Sequence, residues 1–250
     1  MDHTLAAGQG LIVEFVSDVV DWFADPSHWT GSDGIPQRTL DHVWLALLPT
    51  VIAVVVAVPP AVLLAHRRIG RFFANALVNV GRAVPSFGVL IVAAIFFVRA
   101  GASLRFWPAV VALVALAIPP IFTNTYAGIA NVSPALVEAG LGMGFRETEI
   151  IRRLELPVAA PVILAGIEIS FVQVIATVPL AAVLSSGGGL GQYIVRGFAQ
   201  GRGGVAETFA GALLVALLTF VLQRLFAAGE RLLVPVGIRR LAEKTDRAAV

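Results

Sequence analysis

Residues 43–65 read VWLALLPTVIAVVVAVPPAVLLA and carry no charged side chain. A helix of about 20 predominantly apolar residues is long enough to cross a bilayer. Similar runs recur further along the chain, at about 72–98, 107–123, 158–184 and 208–228. The sequence therefore predicts an all-α, polytopic membrane protein with about five transmembrane helices, which form one membrane domain over 43–229.

The composition of the whole chain supports this class. Of its 250 residues, 58% are hydrophobic and 14% are charged, and the mean hydropathy is +0.86. Soluble domains average about 25% charged residues, so this chain has too few charges to cover a globular surface. The arginines are spread over short loops instead of clustering on one face, which argues against a nucleic-acid partner. The chain has no cysteine, so it offers no disulfide or thiolate chemistry.

The distribution of charge predicts how the spans are oriented. Residues 1–42 hold seven acidic residues and one basic residue, Arg38, and show no signal peptide. Eleven Lys and Arg residues share one side of the predicted membrane, in the segments 66–71, 128–157 and 229–250, and five lie on the other side. Since basic loops stay in the cytoplasm, we expect the N-terminus outside, and the long loop and the basic tail, 230–250, inside.

The acidic N-terminal segment contains a short amphipathic helix, predicted over 11–24. Its acidic residues recur every three or four positions, which places them on one helical face: Glu14, Asp18, Asp21 and Asp25. Apolar residues cover the rest of the helix, which is too short to span a bilayer. We predict either an interfacial helix lying in the membrane plane or a helix packed on the outer rim of the protein.

The loop between the third and fourth spans, 128–157, predicts a helical hairpin. Ser133 and Pro134 form a favoured helix start, and Gly142 and Gly144 interrupt the helix that follows. A second helix is predicted at about 145–154, with Pro157 ending it and starting the fourth span. Such a hairpin is suited to contact a soluble partner, although a solvated connector is the alternative.

The same loop resembles the EAA motif of binding-protein-dependent ABC importer permeases, the MetI-like superfamily. That motif is Glu-Ala-Ala, three residues, Gly, nine residues, then a hydrophobic residue, any residue and Leu-Pro. This chain matches every spacing, with Glu138, Ala139, Gly140, Gly144, Phe145, Arg146, Leu156 and Pro157 within the matched region. The one departure is Gly140, where alanine is usual, and it affects only fine packing. The resemblance implies that this loop couples the permease to an ATPase.

Further segments resemble the osmoprotectant subgroup of that superfamily, which imports glycine betaine, choline, carnitine or proline-type solutes. They include GRAVPSFGVL (81–90), AIPPIFTNTYAGI (117–129) and GGGLGQYI (187–194). The resemblance implies a bacterial inner-membrane permease that works with a second permease, as a homodimer or a heterodimer. It also implies a cytoplasmic ATPase dimer, which holds the ATP and magnesium, and an external solute-binding protein.

No enzyme motif is found in the chain itself. The only lysine, Lys244, lacks the glycines of a phosphate-binding GxxxxGK[ST] loop, and the histidines form no HExxH zinc motif. We therefore predict no catalytic residue, no metal site and no cofactor bound by this chain. Two alternatives to an osmoprotectant permease stay open: a permease for another small solute such as an amino acid, and a self-contained channel or secondary carrier.

Polar residues within the predicted spans are candidates for a translocation path or gate. A charge near the bilayer centre is costly, so Glu168 is expected to face a cavity or to form a structural pair with Arg82. The candidate set also includes polar side chains near these two, the predicted kink at Pro85 and a glycine run at the outer end of the fourth span. Its members are Gln173, Thr177, Asn79, Pro85, Gly187, Gly188 and Gly189. Helix packing is the alternative for the polar stripes, and a flexible external loop for the glycines.

Overall fold

The computed structural model describes residues 2–70, 72, 76, 86–100, 106–184 and 187–233. Within these ranges the chain is helical and contains no strand, which confirms the all-α class. In chain order the helices are α1 (Asp2–Ala24), α2 (Ile35–His66), α3 (Ser86–Arg99), α4 (Trp107–Ala130), α5 (Pro134–Gly142), α6 (Glu147–Ile150), α7 (Leu156–Thr177), α8 (Pro179–Val183), α9 (Gly191–Ala199) and α10 (Val205–Leu233). Short 3-10 turns lie at Pro26–Trp29 and Gly201–Gly204.

Four helical stretches in the described ranges are long and apolar enough to cross a membrane. They are Ile35–His66, Trp107–Ala130, Glu147–Val183 and Gly201–Gly229, and each overlaps one predicted span. Of the predicted span 72–98, the structure describes mainly the final part, as α3. The predicted tail, 230–250, lies outside the described residues from 234 onward.

Helix α4 continues well past residue 123, where the apolar run ends. Two polar side chains at this point, Thr123 and Asn124, do not interrupt it, because they bond to carbonyl oxygens of the same helix. Thr123 Oγ1 donates to the Pro119 oxygen and Asn124 Nδ2 to the Pro120 oxygen, each at 2.8 Å. These bonds satisfy the donors of Thr123 and Asn124 within the helix. The buried Thr125 Oγ1 has no hydrogen-bond partner among the described residues.

The chain divides into two compact units, each with its own core. The first comprises Met1–Leu48, Leu90–Leu113 and Ile175–Phe220. Its core joins the start of α2 to α9 and α10 through four buried side chains: Ile35, Leu190, Tyr193 and Val215. The second unit comprises Pro49–Val89, Val114–Val174 and Val221–Val250. Its core joins α2, α4 and α7 through Val62, Ala65, Ile129, Ala159 and Ile163.

Helix α1 belongs to the first unit and is longer than the predicted 11–24. Phe15 packs edge-on against Phe209 of α10, with ring centroids 5.1 Å apart, and Trp22 packs against Tyr193 at 5.2 Å. These are contacts of a helix packed against the protein. Apolar side chains on the remaining surface are exposed, namely Ile12, Val13, Val16 and Val20. The choice between an interfacial and a rim helix stays a prediction.

The start of α7 differs from the prediction that Pro157 ends a loop helix. The chain stays helical from Glu147 to Thr177, because a π turn over Ile151–Glu155 joins α6 to α7. In this turn the N–H of Leu156 donates to the Ile151 oxygen, five residues back. A proline has no N–H and its ring clashes with the carbonyl four residues earlier in an α-helix. The widened turn therefore lets the helix continue through Pro157.

The turn after α2 is closed by an unusual residue. Arg68 adopts a left-handed backbone conformation, with φ 56°, at the position where a helix-ending Schellman motif usually has glycine. The motif's two bonds are present, from Arg68 N to the Ala65 oxygen and from Ile69 N to the Leu64 oxygen. The Arg68 guanidinium also donates to the Ala130 and Val132 oxygens, at 2.7 and 3.2 Å. The side chain thus compensates for a strained backbone.

This arrangement predicts that the protein is more stable with glycine than with alanine at position 68. Arg68→Ala and Arg68→Gly both remove the guanidinium bonds, but only glycine relieves the backbone strain, which costs a non-glycine residue about 1–2 kcal/mol. We expect the alanine variant to melt about 2–8 °C below the glycine variant, since 1 kcal/mol is worth about 2–4 °C at this chain length. Thermal unfolding in detergent measures the difference. Equal melting temperatures would contradict the strain argument.

Candidate functional site

The EAA-like loop is a compact hairpin in the second unit. Helix α5 ends at Gly142, and Gly144 follows in a left-handed conformation with φ 85°. Gly144 N donates to the Leu141 oxygen and Phe145 N to the Gly140 oxygen, which completes a Schellman motif. The predicted break at the glycines is therefore where the structure turns. Ser133 does precede α5, but its side chain forms no capping hydrogen bond.

Gly140, the residue that departs from the EAA pattern, is where the two arms of the hairpin meet. It is buried, and a Cβ at this position would lie 2.7 Å from Leu154 Cδ1 and 2.9 Å from Ile150 Cδ1. The missing methyl group thus lets the α6 segment and the π turn pack closely onto α5. Because both neighbours are ends of flexible side chains, an alanine would require only a small rearrangement there.

The other side of the hairpin is open to solvent. Glu138 and Ala139 are not buried, and the apolar side chains Leu141 and Met143 are exposed, the latter at 68%. The Arg153 guanidinium lies over the Phe145 ring, 5.7 Å from its centroid. Arg146 N donates to the Glu149 carboxylate at 3.1 Å, which holds the start of α6. The hairpin therefore has a preformed exposed surface that combines apolar side chains with charged ones of both signs.

The glycine run of the first unit packs against a buried histidine that the sequence did not indicate. Gly187, Gly188 and Gly189 all have positive φ angles, and a Cβ on Gly189 would overlap the backbone of His42. His42 is fully buried, and its Nε2 lies 2.9 Å from the Ile175 oxygen. These glycines therefore form a closely packed turn.

The reason for the histidine lies in Pro179. An α-helical carbonyl at residue 175 would accept from the N–H of residue 179, which proline lacks. His42 Nε2 supplies the missing donor to the Ile175 oxygen, so the break between α7 and α8 leaves no unpaired carbonyl there. The proline in the apolar run was the available sequence signal, but it could not show which residue, 133 positions away, supplies the bond.

Replacing this donor is expected to destabilise the first unit. His42→Phe leaves the Ile175 carbonyl buried and unpaired, which costs about 1–3 kcal/mol. We expect the melting temperature in detergent to fall by about 2–12 °C. His42→Gln keeps an N–H donor at a similar distance from the backbone and is the matched control. A glutamine variant as unstable as the phenylalanine variant would show that packing, and not the hydrogen bond, is responsible.

The remaining path candidates are only partly brought together. Glu168, Gln173 and Thr177 all lie on α7, and none of the three is fully buried. Among the described residues, none forms a hydrogen bond or ion pair with Glu168. Asn79, Arg82 and Pro85 lie outside the described residues, so the pairing of Glu168 with Arg82 stays a prediction.

A polar cavity of about 330 Å³ lies in the first unit. It is lined by Ser27, His28, Asp33, Tyr193, Arg196, Gln200 and Glu207. Glu207 accepts from Arg196 Nε at 2.7 Å and from Gln200 Nε2 at 2.9 Å. Burial raises the pKa of the Tyr193 phenol. The Tyr193 hydroxyl donates to the backbone carbonyl oxygen of Asp33. The described residues contain no cluster of three or more potential metal ligands, here or elsewhere.

Comparison with known proteins identifies the class to which these features belong. The family model described as "Binding-protein-dependent transport system inner membrane component" matches residues 42–234. The chain belongs to this family. It is therefore a permease subunit of an ABC importer, a multi-pass membrane protein that is not itself an enzyme, since the ATPase is a separate subunit.

Among the relatives is the choline transport system permease protein OpuBB of Bacillus subtilis (strain 168), 37% identical over 214 residues, which cover 86% of this chain and 95% of that protein. The glycine betaine/carnitine/choline transport system permease protein OpuCB of the same organism is 34% identical over the same shares of both chains. The osmoprotectant import permease protein OsmW of Salmonella typhimurium is 31% identical, covering 82% of this chain and 94% of that protein.

Solved structures support the fold. An inward-facing conformation of the MetNI methionine ABC transporter matches with a TM-score of 0.66 at 23% identity. The match covers 79% of this chain and 94% of that one. A crystal structure of an amino acid ABC transporter with histidines matches with a TM-score of 0.56 at 20% identity, covering 76% and 88%. At these identities the likeness concerns the fold alone.

Proposed function

We propose that this chain forms the translocation path for a compatible solute of the glycine betaine, choline, carnitine or proline type. The observation that carries the proposal is the 31–37% identity to choline, glycine betaine/carnitine/choline and osmoprotectant permeases over more than four fifths of each chain. The matches to methionine and amino acid transporters are weaker, at 20–23% identity. This difference favours an osmoprotectant over an amino acid as the solute.

The hairpin Pro134–Glu155 is the proposed contact with the ATPase. Its exposed residues Glu138, Leu141 and Met143 are part of the charged and apolar surface that would enter a groove on that partner. ATP and magnesium would be held by the ATPase dimer, with no cofactor on this chain. ATP binding would then favour one of two permease conformations because the loop contacts the ATPase differently in each.

The proposed assembly contains two permease subunits, because about five helices hardly enclose a path. The partner is either a second copy of this chain or a different permease. An external binding protein would deliver the solute to the side that carries the acidic N-terminal segment, 1–42, and the glycine turn at 187–189. The hairpin and the basic tail would face the cytoplasm, as the distribution of Lys and Arg predicts.

Uptake assays test this proposal directly. The chain is produced with its ATPase and binding protein, both alone and with a second permease subunit, in a bacterial strain that lacks osmoprotectant uptake. The entry of labelled choline, glycine betaine, carnitine and proline is measured. We expect uptake of at least one of these solutes only when the permease, the ATPase and the binding protein are all present, with improved growth at high salt. Uptake of amino acids other than proline instead would favour the alternative permease. Uptake without the ATPase would indicate a channel or carrier.

A further inference from the structure

A buried carboxylate lies at the base of the hairpin, and the sequence did not single it out for a role. Glu155 is 2% exposed, and its Oε2 lies 2.8 Å from Nδ1 of His66, at the end of α2. An ionised carboxylate can only accept hydrogen bonds, so in that state the proton lies on Nδ1. A charged side chain this deeply buried is costly unless it is paired, and His66 supplies the partner.

The π turn explains how Glu155 reaches this position. An α-helix turns by about 100° per residue, so residues five apart point in directions about 140° apart. Ile150 and Glu155 are five apart, yet both are buried. The wider turn over Ile151–Glu155 brings them toward the same side. Turns of this kind occur frequently at functional sites.

The same turn contacts the rest of the hairpin. The methyl groups of Ile150 and Leu154 pack against Gly140, the buried residue of α5. A displacement of α5 therefore presses on the segment that holds Glu155.

His66 is equally well fixed on its own side. It ends α2, and the Schellman turn that follows is held by two guanidinium bonds of Arg68, one to Ala130 at the end of α4 and one to Val132 just after it. Ala65, next to His66, is buried in the core that joins α2, α4 and α7. The His66–Glu155 contact thus joins two firmly packed segments that are 89 residues apart in sequence.

We infer that the His66–Glu155 pair transmits movement of the hairpin Pro134–Glu155 to helix α2, so that both are positioning residues for ATP-coupled transport. The inference rests on the proposed function, in which the ATPase moves this hairpin. Without the pair, the hairpin still binds the ATPase, but its movement reaches α2 only through the apolar contacts that Ile151 and Leu156 make with the core of α2, α4 and α7, so coupling is weaker.

Two variants at one position separate this role from simple packing. Glu155→Leu removes the bond to His66, whereas Glu155→Gln keeps an oxygen that can accept from Nδ1. Both are reconstituted in proteoliposomes with the ATPase and binding protein, and solute uptake per ATP hydrolysed is measured. We expect this ratio to fall at least tenfold for leucine, with hydrolysis continuing, and to stay within about twofold of wild type for glutamine. A leucine variant that couples like wild type overturns the inference.

Cross-linking gives a second, independent readout, because the chain has no cysteine of its own. The double variant His66→Cys/Glu155→Cys removes the pair and is expected to be uncoupled to a similar degree. A short bifunctional thiol reagent then links the two positions covalently. Restored coupling supports a transmitting contact, whereas a cross-linked protein that stays uncoupled overturns it.

A negative result can also arise because a variant does not fold or because the proposed solute is not the one transported, and both cases can be separated from failure of the inference. If Glu155→Leu does not assemble, the pair is tested from the other side with His66→Phe and His66→Asn. The asparagine keeps a donor near the place of Nδ1, whereas the phenylalanine does not. Equal coupling in these two variants overturns the inference.

The wild-type complex is first screened with osmoprotectants and amino acids. Absence of osmoprotectant uptake contradicts the proposed function alone, and the variants are then measured with the solute that is transported.

Discussion

Gly166→Leu is expected to destabilise the permease strongly, because the added side chain has no space between two packed helices. Gly166 lies where α7 approaches α4, and a Cβ at this position would be 2.5 Å from Asn124 Cβ and 3.0 Å from the Pro120 carbonyl oxygen. A backbone carbonyl cannot move aside as a side chain can. Overpacking of this kind costs about 1–3 kcal/mol or more.

The measurement is thermal unfolding of the purified protein in detergent. A loss of about 3 kcal/mol corresponds to a fall in melting temperature of about 6–12 °C for a chain of this length. Gly229→Leu is the matched control, because Gly229 lies in α10 and a Cβ there would have no neighbour within 4 Å. If the two leucine variants melt together, close packing of α4 and α7 at Gly166 is refuted.

Gly144→Val is expected to uncouple transport from ATP hydrolysis by deforming the turn of the hairpin. Gly144 has a φ of 85°, a conformation that β-branched residues hardly adopt. Valine would force the turn into another conformation and remove the bond from Phe145 N to the Gly140 oxygen. The hairpin would then lose its fixed shape. We expect solute uptake per ATP hydrolysed to fall at least tenfold, while the membrane domain still assembles.

The control lies two residues away in the same hairpin. Gly142 ends α5 without a positive φ, and a Cβ on it would meet no atom within 4 Å. Gly142→Val therefore adds the same side chain without disturbing the turn, and we expect it to keep at least half of wild-type coupling. Equal losses in both variants would mean that the added bulk, and not the turn, causes uncoupling.

The sequence was sufficient to predict the helical class and the position of the hairpin, because both depend on local signals. Apolar runs indicated the spans, and Gly144 indicated the turn that ends α5. The bounds of the helices were less predictable: α4 continues past Thr123, where the side chains of Thr123 and Asn124 bond within their own helix. The helix boundary predicted at Pro157 was wrong, since only the π turn shows how a helix passes that proline.

The structural roles of His42, His66 and Glu155 could not be predicted from local patterns. His42 reaches Ile175 and His66 reaches Glu155 across separations of 133 and 89 residues, and nothing in the intervening sequence records either pairing. A lone histidine at the end of an apolar run is typical of many solvated positions. Only the packed fold shows which carbonyl or carboxylate each one faces.

The bond between His42 and Ile175 also has a consequence for how the chain enters the membrane. His42 precedes Ile175 by 133 residues, so it leaves the ribosome long before Pro179 does. When α7 is synthesised, the residue that donates to its Ile175 carbonyl has already been made as part of α2. The bend between α7 and α8 can thus be completed as soon as this part of the chain is synthesised, without waiting for α10.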